Sequence, residues 1–263
     1  MSAAAGLLGA VLVTGAGSGI GRASAIACGA RGAPVAALDL DAEAAAAVAE
    51  EAREAGSPAV AAIRCDVRDE SSVAAATEEA EANLGPLRGA LTSAGIDRGG
   101  PAHELPLEVW NEMVAVNLTG TFLTCKQALR AMLGHGQGGS IVCVSSPVAE
   151  LAVKGGAGAY CATKGGVSSL SRTLALDYAD QGIRVNTIVP GATETPLMWA
   201  GVPEDEVAAM RETVAGQLAI GRLAEPAEIA EGVVWLLSDS SRYATGSHLT
   251  IDGGLGATAK IAT

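Results

Sequence analysis

Short apolar runs recur along the chain at 10–14, 35–39, 59–65, 89–93, 140–145, 183–189 and 248–252. They are continuous rather than alternating, the pattern of strands covered on both faces. Between most of them lie longer segments with apolar residues at helical spacing: 41–55, 71–84, 160–179 and 226–237, often opened by Asp, Ser or Pro. The alternation predicts β-α-β units and an α/β fold, a doubly wound Rossmann-type sandwich around a central parallel sheet of about seven strands. No repeat or low-complexity linker interrupts it, so a single domain is expected over 1–263. The alanine-rich stretch 42–49 is a strong helix former. Only 191–221, with Pro196 and Pro203, breaks the rhythm. It is longer than an ordinary connection and reads either as a lid or as a pair of surface helices.

A length of 263 residues suits one generous domain. The hydrophobic content of 49% comes from 54 alanines against only 3 Trp, 3 Tyr and 1 Phe, and no run approaches the roughly 20 apolar residues of a membrane helix. No membrane partner is expected. The net charge of −12 argues against nucleic acid as a partner. The first ten residues lack a basic region followed by an apolar core, which leaves a cytoplasmic location as the expectation. Cys28, Cys65, Cys125, Cys143 and Cys161 are scattered, with no CxxC and no histidine at ligand spacing. They read as buried free thiols rather than as disulfides or a metal site.

The first strand ends in Thr14-Gly15-Ala16-Gly17-Ser18-Gly19-Ile20-Gly21 and runs into a helix. Such a turn leaves backbone N–H groups of Ser18, Gly19 and Ile20 free at a helix N-terminus, where a phosphate is favoured, and glycines allow its close approach. The spacing is Gly-x-x-x-Gly-x-Gly through Gly15, Gly19 and Gly21, since Ile20 stands where GxGxxG needs its last glycine. Asp39 closes the second strand, in place to accept hydrogen bonds from the ribose of an adenine dinucleotide. The competing role for Asp39, capping the next helix, suits Asp41 equally well. Asp66 and Val67 close the third strand, where Asp66 would lie beside the adenine. Tyr160 and Lys164 stand four apart on one helix face. A neighbouring ammonium pulls a phenol toward acid/base duty at working pH. Ser145 and Ser146 end the fifth strand at the edge where ligands bind in such sheets.

These residues, together with Asn117-Leu118-Thr119-Gly120, Tyr160-Cys161-Ala162-Thr163-Lys164, Pro190-Gly191-x-x-x-Thr195 and Asp252-Gly253-Gly254, resemble the classical short-chain dehydrogenases/reductases over nearly the whole chain. The resemblance implies that Tyr160 is the acid/base and that Ser146 orients the substrate oxygen. It implies that Lys164 holds the nicotinamide ribose while depressing the tyrosine pKa, and that Asn117 supports a water-linked proton path. By the same resemblance Ser93, Ala94, Gly95, residues 188–191, Thr193 and Thr195 belong to the cofactor site, 192–221 is the substrate lid, and the protein forms a homotetramer. Two departures stand out. Thr92-Ser93-Ala94-Gly95 replaces the family's Asn-Asn-Ala-Gly, and the interval from Ser146 to Tyr160 is one residue longer than the family pattern. The extra residue fits best in the 154–158 loop and keeps both Ser145 and Ser146 as candidates for the catalytic serine.

The expected activity is an NAD-dependent interconversion of a small-molecule secondary alcohol and its ketone, without a metal. Asp39 would repel the 2′-phosphate of NADP, and no Arg or Lys stands at 16–18 or 40 to receive it. A 3-oxoacyl thioester (acyl carrier protein) reductase is the alternative among enzymes. A catalytically silent dinucleotide-binding regulator is the alternative outside them, disfavoured because only catalysis needs Asn117, Ser146, Tyr160 and Lys164 together. Substrate walls are expected from 96–103, 147–154 and 198–203, including Arg98, His103 and Lys154. An apolar edge at Met198, Trp199 and Val202 favours cyclic or bulky apolar substrates.

Overall fold

A computed structural model describes residue 7 and residues 9–257. Part of the start that was read for a targeting signal (1–6 and 8), and the end (258–263), lie outside the described residues. Seven strands form one sheet: β1 (Ala10–Thr14), β2 (Val35–Asp39), β3 (Val60–Arg64), β4 (Leu87–Thr92), β5 (Gly139–Val144), β6 (Ile183–Pro190) and β7 (His248–Ile251). Their order is β3-β2-β1-β4-β5-β6-β7, with every pair parallel. All seven runs seen in the sequence are strands, with ends that move by one or two residues.

Successive side chains of a strand face opposite ways, and here both faces are dry. Val11, Val13, Val35, Ala37, Leu91 and Val142 point to one layer, formed by α1 (Gly19–Ala30), α2 (Ala42–Ala55) and α8 (Pro226–Leu237). Leu12, Ala36, Leu38, Ala90, Ile141 and Val185 point to the other, formed by α3 (Glu70–Leu84), α5 (Gly120–His135) and α6 (Gly158–Tyr178). Small residues let these layers close up: a Cβ on Gly29 would lie 2.5 Å from the Ala52 carbonyl oxygen, so α1 and α2 touch backbone to backbone there. Asp41, not Asp39, caps α2, its Oδ1 accepting from Glu43 N at 2.9 Å and Ala44 N at 3.1 Å.

The helical pattern had not singled out 107–135. It holds α4 (Leu107–Met113), a six-residue π-helical turn (Val114–Thr119) and α5 in one continuous run. The 191–221 segment carries a short helix, α7 (Glu204–Ala215), with no buried residue, and both ends of the segment are tied down. Glu194 N donates to Ala224 O at 2.9 Å, and Ile220 N donates to Gly253 O at 3.1 Å. All five cysteines are free, and Cys161 alone is not buried.

Candidate active site

Strand order reverses between β1 and β4, and a cleft of about 730 Å³ opens at the carboxyl ends of the sheet there. At one end the glycine turn forms a cradle that side chains would fill. Gly15 and Gly19 have φ of +63° and +53°. A Cβ on Gly15 would lie 2.6 Å from Ala94 Cα, so the turn presses on the 93–95 backbone, and all of Ser93, Ala94 and Gly95 line the cleft. Gly21 sits behind the cradle rather than in its lining, where a Cβ would lie 2.0 Å from Gly15 O. Ser18 begins α1 without capping it by its side chain, which leaves the first N–H groups of the helix for a ligand. Gly21→Ala is therefore expected to cost about 1–3 kcal/mol of stability and to weaken dinucleotide binding. Thermal melting and NADH titration check this, and an unchanged melt with unchanged affinity would refute it.

Asp39 lines the same end of the cleft. Its Oδ2 accepts from Gly17 N at 2.8 Å and its Oδ1 from Asp41 N at 3.0 Å. Two oxygens offer about four acceptor sites, so two remain for a diol. Val67 and Asp66 follow, with the Asp66 carboxylate gripped by Arg68 through Nη2 at 2.6 Å and Nε at 2.8 Å. The guanidinium holds that carboxyl below the usual range. Pro190, Gly191, Thr193 and Thr195 line the far wall, whereas Ile188 is fully buried in the core. Gly191 is needed for close approach, since its Cβ would meet Asp252 Cα at 2.6 Å.

At the middle of the cleft stand Ser146, Tyr160 and Lys164. Tyr160 lies in the first turns of α6, and Lys164 Nζ sits 5.5 Å from its ring centroid. Lys164 is buried, donates to Val144 O at 2.9 Å, and is held down to about 8, chiefly by burial. Tyr160 is raised, not depressed as expected: burial pushes it up, the Asp97 carboxylate and Cys161 add to this, and only the Ser146 hydroxyl opposes. The two serines separate clearly. Ser145 is buried, with its Oγ donating to Lys164 O at 3.0 Å and paired with Ser168 Oγ at 2.8 Å, while Ser146 is half-buried against Tyr160.

Asn117 is wholly buried in the π-helical turn and does not line the cleft. Its side chain clamps the backbone of one residue of the cleft wall: Oδ1 accepts from Ile96 N at 2.8 Å, and Nδ2 donates to Ile96 O at 2.9 Å. Such turns often mark functional positions. The substrate walls contain Ile96, Arg98, Pro147, Val148, Leu197 and Met198. Lys154, His103 and Trp199 are not among them. Trp199 instead donates from Nε1 to Glu194 Oε2 at 3.0 Å beneath the Arg211 guanidinium, a clasp within the 192–221 segment that joins its first turn to α7. Asp97 lies in the expected 96–103 wall but was not singled out, and sequence reasoning missed Glu112 and Leu255, which also line the cleft.

Fold, glycine cradle and cleft define a dinucleotide-binding α/β oxidoreductase. Comparison narrows the class: the chain belongs to the short-chain dehydrogenase/reductase family. Residues 15–256 match the family model described as enoyl-(acyl carrier protein) reductase. The chain is 43% identical to cis-4-hydroxycyclohexanecarboxylate dehydrogenase of Sinomonas cyclohexanicum, across 92% of this chain and 94% of that one. It is 42% identical to D-threitol dehydrogenase of Mycolicibacterium smegmatis, across 92% and 91%. Its fold superimposes on a short-chain type dehydrogenase/reductase from Mycobacterium marinum with a TM-score of 0.89 at 32% identity, covering 95% and 96% of the two chains. The family binds a nicotinamide dinucleotide, and its members resembling this chain are dehydrogenases of CH–OH groups.

Proposed function

We propose that the chain is an NAD-dependent dehydrogenase that interconverts a cyclic secondary alcohol and its ketone. The reading rests on one observation: Ser146, Tyr160 and Lys164 meet in the cleft whose other end carries the glycine cradle and Asp39. When bound, the nicotinamide supplies the hydride acceptor or donor. In oxidation the Tyr160 oxygen takes the hydroxyl proton of the substrate, and in reduction it returns one to the carbonyl oxygen. The Ser146 hydroxyl orients that same oxygen. Lys164, braced on the Val144 carbonyl, presents its ammonium to the nicotinamide ribose and to the phenolate. Asn117 keeps the 96–97 wall fixed behind them. The apolar side chains of Val148, Leu197, Met198 and Leu255 suit a carbocyclic ring.

The choice of NAD follows from charge. Asp39 repels a 2′-phosphate, and the guanidinium groups of Arg22 and Arg68 are committed, to Glu51 at 2.8 Å and to Asp66 at 2.6 Å. A preference of about tenfold to a hundredfold for NAD is expected, the range of a hydrogen bond to a charged group. Measuring kcat/KM with both cofactors tests it. Equal use of NADP would contradict the role given to Asp39, and Asp39→Ala should relax the preference. The second reading is a 3-oxoacyl thioester reductase; the matching family model is described by an acyl carrier protein reductase, though one acting on an enoyl group. A chain of net charge −12 is poorly matched to an acidic carrier, and acetoacetyl thioester with NADPH is the assay that would favour it. Phe122 and Leu133 on α5 and Leu176 on α6 are exposed, which supports a homotetramer closed over these helices. Light scattering in solution reads the subunit number.

A further inference from the structure

Asp97 lines the cleft and has no part in the reaction as proposed. Its Oδ1 is buried without a hydrogen-bond partner, and among the described residues it is the only such atom on a side chain lining the cleft. Its place is fixed, because Asn117 holds both the N–H and the carbonyl of the preceding residue, Ile96. The adjacent Arg98 does not neutralise it, being paired with Glu112 at 2.6 Å. An unpaired buried carboxylate oxygen is costly, and folded proteins retain such groups where something pairs them.

We infer that Asp97 sets substrate selectivity: its carboxylate accepts a hydrogen bond from a second hydroxyl of a diol or polyol substrate and rejects a carboxylate in that place. This rests on the reading of the cleft as a secondary-alcohol site. A hydroxyl is the fitting donor because Lys164 already supplies positive charge nearby, which disfavours a second cation. A substrate carboxylate would stand against Asp97 with Glu112 also on the wall, and like charges repel. A mono-alcohol leaves the oxygen unpaired, the situation in which a site built for a hydroxyl discriminates strongly. The relatives named for a hydroxy acid and for a polyol make the distinction a real one within this family.

The test compares kcat/KM for cyclohexanol, the cyclohexane-1,2-, 1,3- and 1,4-diols, 2-aminocyclohexanol and 4-hydroxycyclohexanecarboxylate at saturating cofactor, for the wild type, Asp97→Ala and Asp97→Asn. The best diol is expected to exceed cyclohexanol about tenfold or more, mainly through KM. Asp97→Ala should bring that ratio close to one and raise the hydroxy acid relative to the diol. Asp97→Asn, which keeps an acceptor oxygen, should fall between. A diol preference that survives Asp97→Ala, or a wild type that uses the amino alcohol or the hydroxy acid best, overturns the inference while leaving the alcohol dehydrogenase reading intact. Failure of the wild type to oxidise any of these alcohols overturns that reading instead.

Discussion

Tyr160→Phe is expected to lower kcat by about 10²- to 10⁴-fold, the usual contribution of a positioned general acid/base. Only the hydroxyl is lost. The ring still packs in the first turns of α6 with Lys164 Nζ 5.5 Å from its centroid, so the cleft keeps its shape. NADH should therefore bind with nearly unchanged affinity, because the glycine cradle and Asp39 at the other end of the cleft are untouched. Stopped-flow turnover and fluorescence titration separate the two quantities. Substantial residual turnover would remove Tyr160 from the proton step. Loss of binding together with turnover would mean that the tyrosine is a structural part of the cofactor site.

The contrast between Tyr160 and Asp97 shows what kind of information a single chain carries. Tyr160 and Lys164 are four residues apart on one helix, and the Gly15–Gly21 turn is a local device at a strand end, so spacing alone places them. That Asp41 and not Asp39 caps the next helix, leaving Asp39 to the cleft, turns on equally local spacing, with Asp41 three residues from Ala44. Asp97 carries no local mark. Its significance comes from Asn117, twenty residues away, folding its amide onto Ile96, and from a burial that only the closed cleft produces. The π-helical turn that presents Asn117 has no helical-period signature distinct from its neighbours. Trp199 was misread for the opposite reason. Its apolar ring suggested a substrate wall, but its indole N–H found Glu194 and the ring turned under Arg211. Ser145 and Ser146 are equivalent in sequence and differ only because Ser168 and the Lys164 carbonyl engage the first.

Lys164→Met should reduce kcat by about 10²- to 10³-fold, the cost of removing one preorganised charged donor from an active site, and should weaken cofactor binding through the lost ribose contact. Its more specific signature is electrostatic. Alcohol oxidation needs Tyr160 ionised, so the acid limb of the rate profile follows the tyrosine. The groups that face it are Asp97, Cys161, Ser146 and Lys164. A cation stabilises the phenolate, so deleting Lys164 should move that limb to higher pH. An anion destabilises it, and Asp97 raises Tyr160 in this structure. Asp97→Asn should therefore move the limb the other way, to lower pH, by about half a pH unit or more. Because burial holds Lys164 down to about 8, its charge fades above that pH, and the wild-type profile should bend there while the methionine variant's should not. Profiles of kcat/KM for one alcohol across the three proteins decide the matter: opposite shifts place both groups in the field of Tyr160, whereas shifts of the same sign, or none, would show that the proton leaves by another residue.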